Sequence, residues 1–315
     1  MNILVTGGAG FIGSHLAAKL LAEHDVTIVD MLHPYYSPER KRAHLEEVVG
    51  SGACRWIEAD LRDEDGLRRI MEAGRFEAVY HLAAVPGVTP SIADPHGYVD
   101  HNIHATINVL RTAGETGVNH VLFASSSSVY GEREGEAIRE EAANGRVISP
   151  YAASKVAGES LCHTYKYLYG YRMTILRFFT VYGPWGRPDM AIAKFIRSAM
   201  NGRAIEVFGE GSARDYTYID DIADGLKAAL NSPEDVGVYN LGCGRPVEMN
   251  RLLDGLQSYF PDLQIVRKPE RVGDVKMTWA DTSKAEALLG YRPKVSIEEG
   301  LARSIAWARS RPEHV

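Results

Sequence analysis

The run NILVTGGAGFIGSHL, residues 2–16, decides the fold. Asn2 to Thr6 is a short apolar β-run. GSHLAAKLLAEH then sets Leu16, Leu20 and Leu21 at helical spacing, and between the two lie Gly7, Gly10 and Gly13 in a GxxGxxG turn. In such a turn Gly7 permits the tight bend, Gly10 lets the backbone approach a pyrophosphate, and Gly13 lets helix and sheet pack closely. The helix N-terminus offers free N–H groups to the phosphates. Glycines alone are weak evidence, but DVTIVD follows and ends on Asp30 at the required distance. A carboxylate there accepts from ribose hydroxyls and repels a 2′-phosphate, so NAD is expected rather than NADP, and no arginine follows Asp30. Asp60, in IEADLRD, stands where a third strand would end, either beside an adenine or as a helix N-cap.

Outward from this turn, strand and helix signals alternate. CRWIEAD reads as a strand, EDGLRRIMEAG as a helix and EAVYHLAA as a strand. YVDHNIHATINVLRTAGETG reads as a helix with Val99, Ile103, Ile107 and Leu110 on one face; HVLFASS is the next strand and a helix starts near PYAASK. The alternation predicts an α/β fold, a Rossmann-type doubly wound parallel sheet over residues 1–178. Residues 179–315 read mainly as a smaller α/β substrate domain that closes a cleft, with some segments returning to the first domain. IAKFIRSAMNG is helical, and AIEVFGEGSARDYTYIDDIADGLKAAL reads as strand, loop, strand, helix.

Composition narrows the function. The chain has 315 residues, 45% hydrophobic, with a formal net charge of −6. That balance argues against nucleic acid or an acidic membrane as partner. Three scattered cysteines form no disulfide framework and read as small buried hydrophobes. The eleven histidines show no metal-ligand spacing. With no basic leader and no apolar run of ~18 residues, a cytoplasmic protein is expected.

YAASK places Tyr151 and Lys155 four apart, on one helix face. A phenol is a poor base at its ordinary pKa of about 10, and a nearby ammonium and a cationic nicotinamide would favour the phenolate. Ser126, on the strand before it, would hold a substrate alcohol in line.

With these residues on the page, the chain resembles the extended short-chain dehydrogenase/reductase family over nearly its whole length. TGGAGFIGSHL, DL at 60–61, HLAA at 81–84, SSSSVYG, SPYAASK, RFFTVYGP, RDYTYIDDIADG and ADTSKAEALLGYRP carry the resemblance. It implies a Ser126–Tyr151–Lys155 catalytic set. It implies NAD, tightly bound and regenerated at each turnover, against Gly7, Gly10, Phe11, Ile12, Gly13, Asp30, Asp60, Leu61, Leu82, Ala83, Ala84, Asn102, Ser125, Tyr151 and Lys155. It also implies a UDP-sugar whose diphosphate and uridine meet Phe208, Arg214, Arg271 and Asp274, and a homodimer joined through the helix near 98–117 and the Tyr–Lys helix. GPWGRPDMA is most similar to the branch that epimerises UDP-glucuronate at C4.

The serines sharpen this expectation. Relatives that dehydrate a sugar carry Asp-Glu just before VYG, and decarboxylating ones carry a glutamate; this chain has Ser127 and Ser128. Serine is no useful acid or base at neutral pH, which leaves redox at a carbinol. Hydroxyls also suit an anionic substrate, which a carboxylate would repel. Thr180 adds a hydroxyl, and Arg187 would clamp a uronate carboxylate. Tyr151 would take the 4-hydroxyl proton as hydride leaves C4, and the 4-keto sugar would turn its other face for the return. The rival readings are a 4-epimerase of neutral UDP-sugars (UDP-glucose/UDP-galactose), a decarboxylase or dehydratase, and a non-catalytic NAD-binding scaffold.

Overall fold

β1 (Asn2–Thr6) lies inside a seven-stranded sheet whose spatial order places the strands formed by residues 54–58, 25–30, 2–6, 78–81, 120–126, 172–178 and 236–241 side by side. The computed structural model describes residues 1–50, 54–133, 135–209, 211–270, 273 and 275–315. In chain order, α1 (Phe11–Leu20), β2 (Asp25–Asp30), α2 (Pro38–Val49), β3 (Cys54–Glu58), α3 (Glu64–Gly74) and β4 (Ala78–His81) complete the first half-sheet. Then come α4 (Val88–Ala93), α5 (Pro95–Tyr98), a π-helical turn (Val99–His104), α6 (Ala105–Glu115), β5 (His120–Ser126), α7 (Pro150–Tyr169) and β6 (Arg172–Phe178). All pairings in this sheet are parallel. Strand order reverses between β1 and β4, the switch point where α/β sheets bind ligands.

Side chains alternate across β1 with period two. Ile3 and Val5 enter one core with Leu16 of α1, while Leu4 enters the other with Val109 of α6 and Ile175 of β6. The rest of the chain adds β7 (Thr180–Tyr182), α8 (Ala191–Met200), β8 (Ile205–Phe208), β9 (Ala213–Arg214), β10 (Tyr216–Tyr218) and α9 (Ile219–Ala229). β11 (Val236–Leu241) then re-enters the main sheet and pairs with β6. β12 (Val247–Glu248), α10 (Met249–Gln257), β13 (Ile265–Lys268), α11 (Ser283–Leu289) and α12 (Ile297–Ser310) follow. Three two-stranded pairs, β7–β10, β8–β13 and β9–β12, stand outside this sheet. Asp215, fully buried between β9 and β10, accepts from the N–H groups of Cys243 (2.6 Å), Gly244 (2.9 Å) and Ala280 (3.0 Å), and so ties three segments together.

Two expectations need correction. The helix over 98–117 does not bury Val99, Ile103, Ile107 and Leu110 as one face: Val99 is 49% exposed, and Ala105, Val109, Leu110 and Ala113 form the buried side of α6. The reason is the π turn, in which the Ala105 N–H reaches back five residues to the Asp100 carbonyl and rotates the face. Of the three cysteines, only Cys162 is buried; Cys54 and Cys243 are half-buried.

Buried histidines make stability depend on pH. His81 Nε2 donates to Thr106 Oγ1 (2.9 Å), whose own proton goes to the Asn102 carbonyl, so Nδ1 must accept from Thr6 Oγ1 (2.8 Å). Burial pushes His81 down to about 3, and burial with the Arg172 guanidinium pushes His120 down to about 4. Both are neutral in the fold and protonate only in the unfolded chain as pH drops below ~6.5. Unfolding then takes up protons, so stability falls with pH from about 6.5 towards 4. At pH 5 the two histidines should together cost ~4 kcal/mol. Urea midpoints at pH 7.5 and 5 check this, and equal midpoints would refute it.

Candidate functional site

A cleft of about 970 Å³ is lined by the glycine turn, by residues at and just after the ends of β4 and β5, and by Thr180 of β7 and Arg214 of β9. Gly7 has φ of +72°, and a Cβ on it would sit 2.6 Å from the Ala83 nitrogen, so glycine is required twice over. The Gly10 N-cap of α1 brings no side-chain cap to the helix start. Gly7, Gly10, Phe11, Ile12 and Gly13 all line the cleft.

Asp30 ends β2 on the cleft wall and accepts from the N–H groups of Leu32 (2.8 Å) and Ala9 (3.1 Å). Burial raises its pKa, against the pull of the Lys41 ammonium and those two bonds. Lys41, from α2, also lines the cleft and was not anticipated from the sequence. Asp60 reaches the cleft but is not an N-cap: it holds Arg62 through Nε and Nη2, and Asp63 caps α3 instead. Leu61, Leu82, Ala83, Ala84 and Ser125 complete this wall. Asn102 stands behind it, with Oδ1 accepting from the Val85 N–H (2.7 Å) and Nδ2 donating to the Val85 carbonyl (3.0 Å). Val85 itself lines the cleft.

Ser126, Tyr151 and Lys155 come together at the middle of the cleft. Ser149 caps α7 by accepting from the Ala152 N–H, which aims Tyr151 in the first turn. Burial raises the Tyr151 pKa, while the Arg187 guanidinium and the Ser126 hydroxyl pull it down. Lys155 Nζ donates to the Ala124 carbonyl (2.6 Å), and burial pushes it down to about 8. Ser127 and Ser128 form the shelf, and the buried Ser128 Oγ has no hydrogen-bond partner among the described residues.

Thr180 and Arg187 face the same space. Arg187 donates Nε and Nη2 to Asp189 (3.0 and 2.6 Å), and the Tyr35 hydroxyl donates to the same carboxylate (3.0 Å). Burial would raise Asp189, but these partners outweigh it and hold the carboxyl below its ordinary range. The loop bearing Arg187 is fixed by Trp185, which stacks on His44 at 4.9 Å. Arg214 lines the far end; Phe208, at the end of β8, is not part of the lining. Arg271 and Asp274 lie outside the described residues, although Gly273 between them lines the cleft. Tyr35 and Asp189 were missed in the sequence because their link spans residues 35 to 189 and has no local signature.

This arrangement fits NAD. The glycine cradle suits a pyrophosphate and Asp30 suits ribose hydroxyls, and Tyr151 and Lys155 line the same cleft. Known proteins agree with this reading. Residues 3–242 match the NAD dependent epimerase/dehydratase family. The UDP-glucuronate 4-epimerase of Thermodesulfobacterium geofontis is 40% identical, over 98% of this chain and 97% of its own. Among solved structures, the UDP-glucuronic acid 4-epimerase of Bacillus cereus, in complex with UDP-glucuronic acid and NAD, has a TM-score of 0.93 at 35% identity, covering 98% and 99% of the two chains. The UDP-glucose 4-epimerase of Thermotoga maritima, with UDP-glucose, reaches 0.91 at 34% identity, covering 99% and 100%. A family match over most of the chain and relatives this similar in sequence and fold show that the chain belongs to the NAD-dependent epimerase/dehydratase family.

Proposed function

We propose that the protein is an NAD-dependent UDP-glucuronate 4-epimerase, interconverting UDP-glucuronate and UDP-galacturonate through a 4-keto sugar without loss of CO2. The observation that carries the reading is Arg187, close enough to Tyr151 for its charge to act there, lining one cleft with the hydroxyls of Ser127, Ser128 and Thr180, with serines rather than carboxylates at 127 and 128. Dehydration and enzymatic decarboxylation lack their acid and base there.

NAD, when bound, supplies the hydride acceptor and donor at C4. Tyr151 Oη takes the 4-hydroxyl proton as the C4–H bond breaks and returns it after the ketone has presented its other face. Ser126 keeps the oxygen in line, and Lys155 contributes positive charge behind it. The 4-keto uronate is a β-keto acid, which loses CO2 when its carboxylate stands orthogonal to the ketone. Arg187, Thr180 and the serines would hold the carboxylate out of that geometry. Gly7, Gly10, Phe11, Ile12, Gly13, Asp30, Asp60, Leu61, Leu82, Ala83, Ala84 and Ser125 would hold the cofactor, with Asn102 bracing them from behind, and Arg214, Arg271 and Asp274 the UDP. On this reading residues 1–178 serve NAD and 179–315 mainly the nucleotide sugar.

We assign the protein to the cytoplasm, and the outer face of the helix near 98–117, π turn included, together with α7, to a homodimer contact. Support for the contact is the exposure of Val99 (49%), Tyr167 (87%) and Leu168 (60%).

Proton NMR of UDP-glucuronate incubated with the purified protein tests the function. UDP-galacturonate without a pentose product is expected. No change in the uronate, with UDP-glucose converted to UDP-galactose, would overturn the uronate assignment in favour of a neutral-sugar epimerase.

A further inference from the structure

Three consecutive residues at the end of β5 are each tied to α7 at intervals of one helical turn. Ser126 meets Tyr151, the Ala124 carbonyl accepts from Lys155 Nζ (2.6 Å), and Ser125 Oγ donates to Glu159 Oε1 (2.5 Å). Residues 151, 155 and 159 lie on one helix face. Glu159 has a second tie. Its carboxylate takes both Nε (2.9 Å) and Nη2 (2.8 Å) of Arg177, and the side chains of this pair are 12% and 6% exposed. Arg177 is the register partner of Ser125 across β5 and β6, so helix and two strands converge on one carboxylate. The network runs on through Arg177 Nη1 to the Tyr130 hydroxyl (3.0 Å), which donates to Asn240 of β11 (2.5 Å).

A buried pair of this kind contributes little net stability compared with well-packed apolar side chains. Ser127 to Tyr130 form a turn that starts from the Ser126 cap, so a shift of the strand end would move the whole shelf. The same carboxylate stands one turn from Lys155. We propose that Glu159, paired with Arg177, is a positioning residue for the epimerisation: through Ser125 it sets where β5 presents Ser126, and its negative charge keeps Lys155 cationic beside Tyr151. The inference rests on the 4-epimerase reading.

The groups facing Lys155 are few. Tyr151, Glu159 and Cys162 share its helix, and His81 faces it from β4. His81 is neutral because burial holds it down to about 3, and burial keeps the Cys162 thiol protonated. Glu159 is therefore the carboxylate opposing the burial that lowers Lys155.

The test compares Glu159→Gln with the double variant Glu159→Gln/Arg177→Gln, which leaves no unpaired buried guanidinium if the single variant fails to fold. In protein carrying 15N-lysine, the Lys155 Nζ titration is expected to move down by about one pH unit, and the alkaline limb of kcat with it, while KM changes less than about twofold. An unmoved Nζ titration would overturn the proposal and leave Glu159 a merely structural residue. A wild-type protein that turns over no UDP-sugar would sink the epimerase reading instead, a failure visible before any variant is made.

Discussion

Tyr151→Phe is expected to lower kcat by ~10³-fold while NAD stays bound and the fold is kept. The substitution removes one oxygen and leaves the ring edge-on against Tyr98, 6.2 Å between centroids, so packing is preserved. What disappears is the group that takes the 4-hydroxyl proton and later returns it. Both half-reactions use that group, so no residual one-way oxidation is expected to build up. Progress curves by NMR, together with cofactor absorbance of the purified variant, check the result. A variant retaining a tenth of wild-type kcat would remove Tyr151 from the proton transfers.

Arg187→Ala is expected to cut kcat/KM for UDP-glucuronate by ~10²-fold and to change UDP-glucose turnover by less than about threefold. The loss exceeds that of one contact because Asp189 stays behind. Tyr35 still holds that carboxylate, but without the guanidinium it becomes a negative charge beside the incoming uronate. Removing both, in Arg187→Ala/Asp189→Ala, should recover about tenfold for the uronate by ending that repulsion. Equal losses on both sugars would show that Arg187 orders the loop rather than reading the carboxylate. A small pentose product from the single variant would add direct evidence that the clamp restrains CO2 loss.

Legibility in the sequence followed locality. The glycine turn, Asp30 and the Tyr–Lys spacing are short-range patterns, and the cleft assembles around them. β11 in the main sheet, by contrast, depends on a pairing with β6 that spans more than sixty residues. Helix α2 escaped notice because, among the described residues, its fully buried positions are Lys41, His44 and Leu45, two of them polar. The π turn at Val99–His104 could not be read from a 3.6-residue period, which it breaks. The braces of the site (Tyr35 on Asp189, Glu159 on Arg177, Asn102 on Val85) are tertiary pairs of ordinary residue types. Nothing adjacent to any of them marks it out.

The return of β11 to the edge of the main sheet bears on how such a protein can be recombined. A chain severed after β6 would present an open parallel edge where β11 now sits and would lose Asn240 from beneath Tyr130. The cofactor half is therefore not a cassette to be spliced onto another lobe. Exchange of a short loop, such as 183–190, would by contrast leave the β6–β11 pairing untouched.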